Sequence, residues 1–254
     1  MIPVTAAIAV TTTARPNQTI QFIPEAATRV EPRRRVARFT TLLPSRTLKK
    51  SIDWSANERR ILASLKTPAH IQQFLDELDY EEKGGAASPR AVLKSGRAQC
   101  FSGALFAAAA LRELGHPPRL MYMDAASDDG HCLALYEVGG LWGAVAKSNF
   151  TTLRSREAIY PYIALGLSYF DGFFNVYAKR TMRAFTVPVE LERFESRGWR
   201  FSGGQLMYID RAIDDAPRAW KLSRKRIPDV SKVSEPLRAA GLAGANPAGL
   251  WRRS

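Results

Sequence analysis

Three side chains near the middle of this chain could together perform acyl transfer: the thiol of Cys100, the imidazole of His131 and the amide of Asn149. A cysteine attacks carbon as its thiolate, so it needs a base to take the proton, and the base needs a partner that holds its ring. Cys100 opens the run CFSGALFAAAALREL, which is rich in strong helix formers and apolar on nearly every side. The pattern predicts a buried helix stopped by Gly115, Pro117 and Pro118. A sulfur at its first turn would meet unpaired backbone N–H groups and the positive end of the helix dipole, which predicts a thiol partly converted to thiolate. The competing reading makes Cys100 a small buried hydrophobe, the usual fate of a free cysteine. The backbone N–H of Cys100, with Gln99 as a second donor, would hold the oxyanion of a tetrahedral intermediate.

The base is chosen from three histidines. His70 lies on a surface-type helix, and His116 lies in the helix stop LGHPP. His131 begins a strand directly after the polar loop DAASDDG, where a site residue on the rim of a sheet belongs. Its strand, HCLALYEV, reads with LWGAVA as a hairpin about Gly139-Gly140. A two-residue turn pairs Val138 with Leu141 and sets Ser148 opposite His131; a three-residue turn sets Asn149 there. Asn149 is favoured on chemistry rather than register, because an amide oxygen accepts the ring N–H more firmly than a hydroxyl. Lys147, if it faced the site, would depress the histidine pKa and favour thiolate. Cys132 follows His131 and so points to the other face of the strand, which argues against a Cys100–Cys132 disulfide and a zinc site. Asp128 and Asp129 read as turn formers.

The elements that must position these groups follow from local signals. Ser55 and Glu58 have capping-box spacing, and Thr67-Pro68 and Ser88-Pro89 each begin a helix. Arg119–Met123, His131–Val138 and Leu141–Ala146 read as strands. Arg154–Phe174 reads as a helix, with Ile159, Ile163, Leu167, Phe170 and Phe174 roughly in phase. Thr181–Phe194 reads as one or two strands about Pro188, and Trp199–Phe201 and Gln205–Asp210 as small elements. Weak strand-like runs, Ile2–Thr13 and Thr19–Ile23, precede a basic connector. The whole reads as α+β: an N-terminal extension over 1–40, a main domain over 41–220, and a basic tail over 221–254 expected to be disordered.

Two cysteines among 254 residues fit a reducing cytosol rather than a disulfide framework, and no run approaches the length of a membrane helix. The N-terminal run lacks a basic start and a clear cleavage site, so no signal peptide is expected. These readings point to a cytoplasmic protein. The net charge of +13 is uneven: residues 1–60 carry 11 Lys/Arg against 4 Asp/Glu, residues 216–254 carry 9 against 2, and residues 61–215 carry 17 against 18. A neutral body with basic ends could hold nucleic acid through phosphate contacts, or could simply carry solvated tails.

Cys100, Leu114-Gly115, Pro117, Arg119, His131 and Trp142 together resemble the core of the transglutaminase-like, papain-related superfamily. The matched part runs from about Arg97 to Asn149, a fifth of the chain. The flanking TPAHIQQFLDELDY and REAIYPYIALGLSYFDGFFN also resemble bacterial members of undefined activity. The resemblance implies a helix headed by the nucleophile and packed on an antiparallel sheet. It also implies a cysteine hydrolase or acyltransferase that acts on a peptide or protein amide through a thioester, with no cofactor or metal. The family's Asp, four residues past its Trp, is here Ala146, which leaves Asn149 as the substitute, as in papain relatives. The alternatives from other classes are a binding module that keeps the fold without the triad, and a nucleic-acid-associated protein using its basic ends.

Overall fold

The computed structural model describes residues 53–252. The strand-like runs and basic connector expected before residue 51 lie outside the described residues. The helices are α1 (Ala56–Ser64), α2 (Pro68–Glu77), α3 (Pro89–Ser95), α4 (Cys100–Glu113), α5 (Tyr162–Leu167), α6 (Met207–Asp214) and α7 (Glu235–Gly241). The strands are β1 (Asp79–Tyr80), β2 (Arg97–Ala98), β3 (Arg119–Ala125), β4 (His131–Val138), β5 (Leu141–Val145), β6 (Arg156–Tyr160), β7 (Met182–Thr186), β8 (Val189–Glu190) and β9 (Arg218–Lys221).

The first three helices begin where the capping residues place them. Ser55 accepts the Glu58 N–H while Glu58 reaches back to the Ser55 N–H, and Thr67 and Ser88 cap helices that carry Pro at the first turn. α4 is buried continuously from Phe101 to Leu111. That burial explains its all-round apolar sequence: α2 and α3 pack against it on one side and the sheet on the other. Strands β6-β5-β4-β3-β7-β9 lie in that order, with β8 also on β3, and every pairing in this sheet is antiparallel. β1 and β2 form a separate parallel pair that leads into α4. The protein is thus a mixed α+β fold with a mostly antiparallel sheet.

Alternation along β4 divides two apolar layers. Cys132, Ala134 and Tyr136 join the helix-side core with Ala104 and Leu105, whereas Leu133 and Leu135 join the opposite core with Met121, Phe185 and Tyr169. The β4–β5 hairpin uses the two-residue turn: Val138 pairs with Leu141, and Gly139 and Gly140 both take positive φ, 59° and 80°. Pairing ends at Ala134–Val145, so neither Ser148 nor Asn149 stands opposite His131.

Two expectations are corrected. The segment read as one long helix from Arg154 to Phe174 is instead edge strand β6, then α5, then a 3-10 turn at Phe170–Gly172. Pro161 disfavours helical geometry at the preceding residue, and β6 alternates in burial, with Ile159 62% exposed. The tail expected to be disordered is ordered through residue 252. Gly241 of α7 sits against the Phe174 ring, Thr151 donates its hydroxyl to the Ala240 carbonyl at 2.7 Å, and β9 pairs with β7. Backbone and polar contacts, with the buried Val233 and Gly241, carry that packing in place of a strong apolar period.

Candidate active site

Cys100 is the first residue of α4, with Gln99 as its cap. Three local arrangements frame that helix end. β2 pairs with β1 directly before it. Gly103 lets the chain leaving β5 come close: a Cβ there would stand 2.5 Å from the Lys147 Cβ. Gln72 of α2 fixes that exit by accepting the Ala146 N–H and donating to the Ala146 carbonyl, both at 3.0 Å. The Cys100 sulfur lies 3.8 Å from the Gly130 carbonyl oxygen, at the start of β4.

His131 is 3% exposed, and its ring packs edge-on to Phe173. Its Nε2 is 2.8 Å from the Leu153 carbonyl oxygen. A carbonyl only accepts, so Nε2 carries the proton, and in the neutral ring Nδ1 is the lone-pair nitrogen. Cys100 and His131 both line one cavity of about 560 Å³, together with Tyr80, Tyr122, Asp129 and Trp251.

Burial governs both titrations. It pushes the Cys100 thiol up to about 11; the nearby Asp129 charge adds to the rise, and the backbone N–H groups of Cys132, Phe101 and Cys100 itself act against it. It also pulls His131 down to about 4, against the opposing bond to Leu153 and with Arg156 adding to the fall. At neutral pH Cys100 therefore rests as the thiol and His131 as the neutral imidazole. The helix-start N–H groups were expected to give a partial thiolate, and here desolvation of the sulfur outweighs them.

The other expected residues are placed as follows. Asn149 is buried, but both ends of its amide engage the main chain of Asn246: Oδ1 accepts the Asn246 N–H at 2.7 Å and Nδ2 donates to its carbonyl at 2.8 Å. Leu153, not Asn149, therefore takes the histidine N–H, because the chain turns away from β4 after Ala146. Ser148 accepts the Phe150 N–H. Gln99 Oε1 accepts the Phe101 N–H and the Cys100 thiol, each at 3.0 Å, and Nε2 donates to the Gly85 carbonyl. One of the two Gln99 amide N–H bonds is thus spent on Gly85. Lys147 faces away from the cavity; its Nζ donates to the Leu75 and Leu78 carbonyls at the end of α2. His70 is exposed on α2, and His116 packs edge-on to Tyr136. No protein-family model matches this chain, and no curated protein matches it.

Sequence reasoning missed Tyr80, Tyr122 and the C-terminal wall. Tyr122 was accessible in principle. It shares a face with Leu120 along β3 and pairs with Cys132, which puts it on the α4 side. Asp128 and Asp129, read as turn formers, also line the cavity. Asp128 accepts the Thr181 hydroxyl at 2.6 Å, and burial raises it to about 6. Cys132 is free and buried, and it packs in the helix-side core. Arg119 and Trp142, two residues of the sequence resemblance, stack with the guanidinium carbon 5.3 Å from the ring centroid. Among the described residues, no group of three or more His, Cys, Asp or Glu could hold a metal ion, and no helix is long and apolar enough to cross a membrane.

Proposed function

We propose that this protein is a transglutaminase-like, papain-related cysteine hydrolase or acyltransferase that acts on a peptide or protein amide. The observation that carries this reading is the pairing, on one cavity, of a helix-start cysteine with a histidine whose Nε2 proton is fixed by a carbonyl, leaving Nδ1 as a base. His131 Nδ1 takes the thiol proton as the Cys100 sulfur forms its bond to the amide carbon. The Cys100 N–H stabilises the oxyanion. His131 then donates the proton to the departing amine. Water, or a second amine, releases the thioester. Because the histidine is held neutral, proton transfer accompanies bond formation instead of preceding it as a resting ion pair. Tyr80 and Tyr122 supply the walls against which the substrate rests.

The test is turnover of a panel of fluorogenic peptide amides by the wild type, Cys100→Ser and His131→Gln. Turnover that both substitutions abolish supports the reading; turnover that survives either one overturns it. The binding-module reading has its own support in the protonated thiol and in the chain segment seated along the cleft. It predicts no turnover by the wild type and unaltered ligand capture by Cys100→Ser.

A further inference from the structure

Residues Ala248 to Trp251 line the cavity that holds Cys100, and the way they and the preceding Asn246 are held is that of a bound peptide. Asn149 reads both the N–H and the C=O of Asn246, as a side-chain amide reads a peptide main chain. The Asn246 side chain donates to Glu82 Oε1 at 2.8 Å and accepts the Ala248 N–H at 3.0 Å, closing a short turn over Pro247–Gly249. Gly249 then rests on the face of Tyr80. A Cβ there would stand 2.6 Å from two ring carbons and 3.2 Å from Asn149 Nδ2, so the slot admits glycine. Ala248, Gly249, Leu250 and Trp251 complete the cavity wall. Pro247 and Ala248 remain exposed, so the segment is held by polar contacts and one aromatic face rather than by a core. α7 is anchored separately, through Thr151, and the exposed Ala243-Gly244 lies between the two.

We infer that Asn149, Glu82 and Tyr80 form a peptide-binding subsite beside Cys100 that takes a turn of the type Asn-x-x-Gly, and that the chain's own Asn246–Gly249 fills it as an intramolecular ligand. This rests on the proposed function only in naming a peptide as what the cleft accepts. The occupying segment narrows access to the sulfur, and a peptide offered from outside competes for the same contacts. Asn149 thereby acquires a role distinct from orienting the histidine.

The test uses the full chain and reads alkylation of Cys100 by the small neutral reagent iodoacetamide, located by mass spectrometry. Gly249→Leu displaces the segment, and the alkylation rate rises about tenfold, as expected for a local contact that opens without global unfolding. Asn246→Ala, a surface change in the segment alone, raises it in the same direction. Adding a synthetic peptide of residues 244–252 to Gly249→Leu returns the rate toward the wild-type value, while the same peptide with leucine in place of the glycine leaves it high. With Asn149→Ala the rate is high and the peptide does not lower it. Equal alkylation rates in the wild type, Gly249→Leu and Asn246→Ala overturn the inference, and so does a peptide without effect on the opened chain. Alkylation requires only the sulfur, so these outcomes stand whether or not the protein turns over an amide.

Discussion

Among the described residues, two side-chain amides clasp a main-chain residue at both its N–H and its C=O, and they serve opposite ends. Gln72 clasps Ala146 inside the fold, where Ala146 is wholly buried, and makes a further bond to Asp76. Asn149 clasps Asn246 at the cavity, where Asn246 is half-buried and its neighbours are open to water. The geometry of the two clasps is nearly the same, with all four bonds between 2.7 and 3.0 Å. What differs is the alternative: Ala146 has no water to turn to, whereas Asn246 does. A hydrogen bond is worth little when water can replace it and much when it cannot. The interior clasp therefore builds the site, and the rim clasp decides who occupies it.

His131 stands between these poles, being buried like Gln72 yet opening on the cavity. Its folded pKa of about 4 lies below the ordinary 6.5, so the unfolded chain takes the proton first as pH falls. Its contribution is whole above about pH 6.5 and is lost as pH falls towards 4, a change of about 3 kcal/mol. Asp128, raised to about 6, works in the opposite direction, so the quantity to measure is the difference in urea stability between wild type and His131→Gln across this range. A difference that does not change with pH would place the imidazole in water.

Gln72→Ala leaves two buried backbone groups of Ala146 without partners and should lower unfolding stability by about 3 kcal/mol in urea. Gly103→Ala forces the exit of β5 away from α4 and should cost about 2 kcal/mol, because the contact atom is the Lys147 Cβ and not a flexible side-chain end. Asn149→Ala should cost about 1 kcal/mol or less, since water replaces it. If Asn149→Ala proved as destabilising as Gln72→Ala, the distinction between the two clasps would fail.

Much of the framework was legible because it is local. The caps at Ser55, Thr67 and Ser88, the apolar run after Cys100 and the glycine pair of the hairpin each state their structure within a few residues. The placing of Cys100 and His131 on one cavity could be anticipated from a helix start and a strand start. What holds His131 could not. Leu153 contributes a backbone carbonyl, which every residue possesses, so no side chain announces it. The extended reading of β4–β5 pairing out to Asn149 failed because Gln72, distant in sequence, ends the ladder at Ala146. The C-terminal wall was hidden for a similar reason: its grip lies in Asn149, Glu82 and the Tyr80 ring, and its own sequence, NPAGLW, shows no helical or strand period.

The central claim is that His131 removes the proton from Cys100 as the sulfur attacks, and the pH dependence of Cys100 acylation by an activated ester tests it most directly. With the histidine near 4 and the thiol near 11, the wild-type rate should be level from about pH 5 to about pH 9, while in His131→Gln it should climb about tenfold per pH unit across the same interval, because only free thiolate then reacts. A wild-type profile that climbs in parallel with the variant would contradict the account.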